Sequence, residues 1–398
     1  MQSTPNANRL QIGLFGARNL GKSSLLNAIA KENVSTVSNV PGTTTDPVKK
    51  AMELPNIGAV LFLDTAGFDD EGILGDLRVE KTTETTKSAD ISIIFFDDES
   101  FEDAIKFLPN LKNTKKIAVI NKIDELEDNG KSLAKKKKEK TKLKPVLVSA
   151  KTGEGISKLL DEILRVMPED FETPSITGNL VKENDAVLLV MPQDKAAPKG
   201  RLILPQVQTI REILDKGAIP VCSTVENMEA TLKKLADPPN LIITDSQAFK
   251  KVMKLKPKNT PITSFSILFG NHKGDIEYFT NSAKKMLELK RNAKILIAEA
   301  CSHRPLEEDI GQVKIPNLLR KKLGDEIEVE FKSGRDFPAD LNGYDLIIHC
   351  GSCMFNRRYV LSRVEAAKAA NIPMTNYGVA IAALLGILDN VIIPQKAC

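Results

Sequence analysis

Residues Gly16-Ala-Arg-Asn19-Leu-Gly21-Lys22-Ser23 spell GxxxxGKS, between the apolar run Leu10 to Phe15 and the helix-forming stretch Ser24-Leu25-Leu26-Asn27-Ala28-Ile29. Few folds accept a strand, a glycine-rich turn and a helix in that order. The turn aims backbone amides at phosphate oxygens at the helix N-terminus, where the peptide dipoles favour negative charge. Lys22 is placed to neutralise the β and γ phosphates, Ser23 to offer its hydroxyl to Mg2+, and Ser24 to continue the same helix start. The expected frame is α/β, with an N-terminal P-loop domain on a mainly parallel sheet.

Three further pieces follow in the order a GTP site requires. Asp64-Thr-Ala-Gly67 ends the run Val60 to Leu63, so Asp64 can reach Mg2+ through water while the Gly67 amide senses the γ-phosphate. Asn121-Lys122-Ile-Asp124 ends Ile117 to Ile120, and the Asp124 carboxylate can accept from guanine N1 and its exocyclic amine. Adenine offers no such donor pair there, which selects GTP over ATP. Ser149-Ala150-Lys151 completes the base pocket. Phe68 stands where many GTPases carry a water-orienting glutamine, so hydrolysis is expected to be slow. Glu71 and Asp76 nearby read as solvated acids, and the catalytic group stays unassigned.

Over residues 9 to about 165 these motifs resemble the translation-factor-related GTPases that include MnmE, Era and EngA. The resemblance includes Pro41-Gly-Thr-Thr44-Thr45-Asp46, similar to their PGTTRD switch, with Thr45 in place of the arginine. It implies that Thr44 joins Ser23 and Asp64 around Mg2+. It also implies that Asn19 helps hold K+ beside the β and γ phosphates, as in the potassium-activated members.

The second half carries a different chemistry. Ala298-Glu299-Ala-Cys301-Ser-His303 and His349-Cys350-Gly-Ser-Cys353 hold three of the five cysteines and two of the three histidines. Each follows a strand-like run, Lys294 to Ala298 and Tyr344 to Ile348, so both are expected at neighbouring strand ends. Three thiolates and an imidazole suit a structural zinc site; three thiolates alone suit an iron-sulfur cluster, and redox-active or buried thiols are a third reading. The lack of a second nearby CxxC, in a domain large enough to fold without zinc, points toward iron. A cubane on Cys301, Cys350 and Cys353 would leave one iron without cysteine, open to His303, His349, a carboxylate such as Glu299, or an outside ligand.

At 398 residues the chain divides by pattern into a GTPase domain over 1–170, a linker over 171–184, an α/β domain over 185–261 and a metal-binding domain over 262–398. Both later domains alternate strands with helices, again implying mainly parallel sheets. The middle one carries no convergent catalytic set and reads as a dimerisation or interaction domain. Cys222 is expected in its core and His272 in a solvated turn. The seven lysines of Lys135 to Lys144 read as a solvated helix face. A net charge of +4 gives no argument for nucleic acid, and no apolar run reaches the roughly 18 residues of a membrane span. Five cysteines without a signal peptide point to a reducing, cytoplasmic setting.

With all parts assembled, the chain resembles the FeFe-hydrogenase maturation GTPase (HydF) family over its whole length, most specifically in Cys301-x-His303 and His349-Cys350-x-x-Cys353. The resemblance implies a 4Fe-4S cluster on the three cysteines, with His303 and His349 as fourth ligand or orienting groups. It implies a scaffold or carrier that takes a transient two-iron precursor to apo-FeFe-hydrogenase. The radical-SAM maturases HydE and HydG would be further partners, and the middle domain would form a homodimer; neither nucleic acid nor membrane is expected. Two other classes fit the motifs: a potassium-dependent GTPase with a structural zinc domain in ribosome or tRNA work, and a GTP-regulated electron carrier.

Overall fold

The computed structural model describes residues 4–33, 37–40, 48–65, 82, 84–112, 114–168, 174–192, 202–300, 309–334 and 336–395. The switch run Pro41 to Asp46 with Thr44, then Gly67, Phe68, Glu71 and Asp76, and finally Cys301 and His303 lie outside the described residues. The chain forms two compact units, Met1–Glu172 and Thr173–Cys398.

The first unit is built on a seven-stranded sheet of β1 (Leu10–Phe15), β2 (Val37–Val40), β3 (Val48–Leu54), β4 (Gly58–Asp64), β5 (Ile91–Phe95), β6 (Lys115–Ile120) and β7 (Val146–Leu147). Their order is β2-β3-β4-β1-β5-β6-β7. β2 and β3 are antiparallel and every pair from β4 to β7 is parallel. Strands buried on both faces read as nearly continuous apolar runs, and Leu10 to Phe15 and Ile91 to Phe95 are buried throughout with Gln11 and Ser92 as their polar residues. The C-terminal ends of β1, β4 and β6 therefore deliver the three nucleotide motifs to one rim of the sheet.

The helix Lys131–Thr141 corrects the reading of a simply solvated lysine face. Lys137 is only 2% exposed, with its ammonium 3.8 Å from the Phe101 ring centroid and 2.8 Å from Asp98. Its neighbours Lys136 and Lys140 reach Asp98 and Glu102.

The second unit holds two four-stranded sheets. β8 (Ala186–Val190), β9 (Ile219–Ser223), β10 (Leu241–Thr244) and β11 (Ile262–Ser264) pair in parallel in the order β11-β10-β8-β9. β12 (Lys294–Ala298), β13 (Glu328–Lys332), β14 (Leu346–His349) and β15 (Met374–Asn376) do so in the order β13-β12-β14-β15. Because β11 completes the first of these sheets, a division at 261/262 would cut a strand from its partner. One apolar core runs through the unit, joining Leu188 and Ile242 to Ile295, Ile297 and Ile347.

Two local expectations are corrected here. β9 is an edge strand, and Cys222 on it is exposed instead of lying in the core. His272 is buried near the end of the helix Phe265–Lys273, not solvated in a turn, and its Nδ1 lies 2.6 Å from the Pro174 carbonyl.

Candidate functional site

At the rim of the first sheet, Asn19 (φ 61°) and Gly21 (φ 81°) take left-handed backbone conformations that bend the loop into the helix Lys22–Asn33. A Cβ on Gly21 would come within 2.4 Å of the Asn121 amide, so glycine is needed on two counts. Lys22 is buried, with Nζ donating to the Gly16 and Ala17 carbonyls at 2.7 Å each, which holds the ammonium inside the loop. Ser23 Oγ donates to Asp64 Oδ2 at 2.5 Å, so the two groups assigned to Mg2+ stand side by side. Burial raises the Asp64 pKa, against the opposing pull of the Ser23 hydrogen bond and the Lys22 charge.

Asn121 ties the loops together. Its Nδ2 donates to the Leu20 carbonyl at 3.0 Å, and its Oδ1 accepts from the Ala150 amide at 3.0 Å. Asp124 accepts from Ser149 Oγ at 2.5 Å, and that bond is the main reason its carboxyl is held below the usual range. Lys151 Nζ lies 3.8 Å from the same carboxylate. Gly21, Ser24, Asn121, Lys122, Asp124, Ala150 and Lys151 line one open cleft of about 590 Å³, a volume that suits a purine nucleoside. The structure thus brings together the sequence-derived residues it describes.

In the second unit, Ala298 and His349 are register partners at the ends of β12 and β14, so the chain segments leading to Cys301 and Cys350 leave the sheet side by side. Cys350 Sγ accepts from the Ala300 amide at 3.0 Å and from the Ser352 amide at 3.4 Å. Ser352, between the two cysteines, takes a left-handed backbone conformation (φ 54°). Below the turn lies Lys273, 2% exposed, with Nζ donating to the carbonyls of Ser352 (3.2 Å), Cys353 (3.4 Å) and Phe355 (2.8 Å). Burial pushes Lys273 down to about 8, opposed by the negative charge of Cys353 and Cys350. Burial raises the Cys350 thiol, and the two amides act the other way. The net shift of Cys350 is upward, so the free group is held as a thiol. Its two N–H donors act toward thiolate, the form that binds metal, and an incoming cation would complete that charge, so the described residues fit a thiolate-ligated metal centre.

His349 is 1% exposed and engaged at both nitrogens. Arg363 Nη1 lies 2.8 Å from Nε2, and arginine only donates, so Nε2 accepts and Nδ1 carries the proton. Nδ1 then donates to the Cys350 carbonyl at 2.9 Å and lies 2.8 Å from Ser352 Oγ. Burial, with the Arg363 charge, pushes His349 down to about 3. In this arrangement no lone pair of His349 is left for a metal. Glu299 is buried too and accepts from the Tyr377 hydroxyl at 2.8 Å. Among the described residues no three acidic, histidine or cysteine side chains form a metal cluster, and Cys301 lies outside them.

Sequence reasoning missed Lys273 and Arg363. Each carries a signal, because each puts a charge on an apolar helical stripe: Phe265, Phe269 and Lys273 in one case, Val360, Arg363, Val364 and Ala367 in the other.

The fold and the nucleotide cleft define a P-loop GTPase domain followed by an α/β unit with two mainly parallel sheets. Residues 11–122 match the family described as 50S ribosome-binding GTPase, residues 176–274 the hydrogen maturase F dimerization domain and residues 277–394 the hydrogen maturase F tetramerization domain. The two later matches together take in more than half of the chain, which belongs to the hydrogen maturase F family. The chain is also 35% identical over 172 residues to the tRNA modification GTPase MnmE of Thermotoga maritima, covering 42% of this chain and 37% of that protein. It is 33% identical over 195 residues to GTPase Der of Mycoplasmopsis agalactiae, covering 44% of each. This chain thus spans about two fifths of the length of these curated relatives. Among solved structures, Era in complex with MgGDPNP and 16S ribosomal RNA is similar at 21% identity and TM-score 0.34, over 54% of this chain and 91% of that one. The G domain of T. maritima FeoB is similar at 24% and 0.32, over 40% and 99%.

Proposed function

We propose that this chain is a GTP-regulated scaffold that holds a 4Fe-4S cluster on Cys301, Cys350 and Cys353 and carries a two-iron precursor to apo-FeFe-hydrogenase. The observation that supports this best is the Cys350 sulfur, which accepts from two backbone amides at paired strand ends, in a chain that also carries a cleft lined by guanine-motif residues. A cluster with three cysteine ligands keeps one iron open, which supplies a docking point for an anionic ligand of the precursor. His349 fixes the turn through the Cys350 carbonyl, and His303, Glu299 or an outside group is left to serve the fourth iron.

In the first unit Lys22 holds the phosphates, and Ser23, Thr44 and Asp64 hold Mg2+. Gly67 reports the γ-phosphate, while Asn121, Lys122, Asp124, Ser149, Ala150 and Lys151 hold the base. Asn19 helps place K+, whose charge stands in for an arginine finger in a slow hydrolysis. Nucleotide state biases which partner docks, among them HydE and HydG, by differential contacts and not by driving metal chemistry. The homodimer forms through residues 176–274, where the β9 edge and the exposed Val207, Leu214 and Ile219 offer an unpaired apolar face. The setting is cytoplasmic, and among the described residues no helix is long and apolar enough to cross a membrane.

Separation of function tests the proposal. Lys22→Ala abolishes GTP turnover and leaves iron content, and Cys353→Ser does the reverse. Loss of both properties in one variant, with the fold intact by circular dichroism, contradicts it.

A further inference from the structure

Two cations are buried beside the CxxC turn, and among the described residues no carboxylate pairs with either of them. Lys273 spends its three donors on carbonyls and makes no ion pair among the described residues. Arg363, 3% exposed, is surrounded by the rings of Phe337, Phe355 and Tyr359 at 4.8 Å each and bonds only to neutral acceptors, the Gly334 carbonyl and His349 Nε2, besides the Tyr359 hydroxyl at 3.5 Å. Its Nε has no hydrogen-bond partner among the described residues. Glu299, a buried acid just past the end of β12, accepts from the Tyr377 hydroxyl. Burying two charges of one sign is costly unless the opposite charge arrives from elsewhere.

We infer that Lys273 is the positioning residue of the sulfur site: it fixes the 352–355 turn through three carbonyls, and its ammonium balances the negative charge of the thiolate-ligated cluster. Arg363 acts one layer further out, through His349. Carbonyls alone would be served as well by a neutral donor. A lysine brings in addition a full charge, and that charge favours the more negative, reduced form of whatever the three thiolates hold. The inference rests on the proposed cluster and concerns how this chain tunes it.

The test uses the full-length protein, reconstituted anaerobically with iron and sulfide, in wild-type, Lys273→Gln and Lys273→Arg forms. Two quantities are read: the midpoint potential of the cluster, and the thermal unfolding of the apo-protein. Gln keeps a donor without the charge, and Arg keeps the charge while misplacing the donors. Lys273→Gln is expected to lower the equilibrium constant for reduction about tenfold or more, equivalent to about 59 mV for one electron. Lys273→Arg is expected to unfold earlier yet hold its potential near wild type. If Gln leaves the potential unchanged, Lys273 is only a structural clamp and the charge role is overturned. If Lys273→Gln does not fold, an equilibrium constant for reduction that falls about tenfold in Lys273→Arg, equivalent to about 59 mV, overturns it equally. If the Gln variant folds but takes up no iron, restored uptake in the Arg variant supports the inference and continued loss refutes it. Failure of the wild-type protein itself to bind a cluster would instead remove the scaffold reading.

Discussion

His272 gives the second unit a pH dependence whose size follows from its surroundings. The ring is 4% exposed, stands edge-on to Phe269 and bonds to the Pro174 carbonyl, an acceptor only, so Nδ1 carries the proton. Burial is the main reason its pKa falls from the ordinary 6.5 to about 4. A folded-state value below the unfolded one means that the unfolded chain binds the proton first. The stabilisation is complete above the unfolded value and is lost as pH falls toward the folded one. Between pH 7 and pH 5 the loss comes to about 1.8 kcal/mol, or roughly 0.7 M in urea midpoint at an m-value of about 2.5 kcal/mol/M. His272→Asn keeps a donor for Pro174 and removes the titration, so the variant is less stable at pH 7 but loses about 1.8 kcal/mol less than wild type on going to pH 5. The depressed His349 adds its own loss to both proteins and cancels in the difference. All four tyrosines lie between 278 and 377 and the chain has no tryptophan, so tyrosine emission during urea unfolding reports this unit alone. Equal pH dependence in the two proteins would refute a buried, neutral His272.

The same leading segment is held by Glu212, which accepts from Ser175 Oγ, the Ile176 amide and both the amide and hydroxyl of Thr177 at 2.5–2.8 Å. Burial raises its pKa, but these donors outweigh it and the net shift is downward. Its contribution is therefore present above the ordinary carboxylate range and is lost as pH falls through the lower folded value. Glu212→Ala should cost about 2–3 kcal/mol at neutral pH by urea unfolding, chiefly from stranded amides, and a cost under 0.5 kcal/mol would show that water replaces the carboxylate. Asp124→Asn should weaken GTP binding about a hundredfold in nucleotide competition, by setting an amide donor against guanine donors. Xanthosine triphosphate, with an acceptor at that position, should bind the variant better than GTP does. Unchanged GTP affinity would remove Asp124 from the base site.

Much of both sites was legible because motif chemistry sits at strand ends, and an unbroken apolar run such as Ile117 to Ile120 announces a strand buried on both faces. The pairing of Ala298 with His349 followed from the same logic. Neighbours in space but not in sequence were not legible. The polar string Asn271-His272-Lys273 reads as a turn, yet the Phe265–Lys273 helix is buried by the 352–355 turn and by Pro174. β9 reads as a central strand because Ile219-Pro-Val-Cys222 is apolar. The overlooked signal is Pro220, whose missing N–H belongs on an edge, and the Ile219 amide bonds inward to Asp185, leaving Pro220 facing out. Lys137 reads like its exposed neighbours, and its place close over Phe101 and against Asp98 is set by residues distant in sequence.

The most direct measurement is iron and sulfide content with an EPR spectrum on anaerobically reconstituted protein, compared with a variant lacking all three sulfur ligands. The account predicts about four irons and four sulfides per chain, a reduced-cluster signal that changes when cyanide or imidazole is added, and loss of all of these in the variant. A colourless, zinc-loaded protein, or iron retained without Cys301, Cys350 and Cys353, would contradict it.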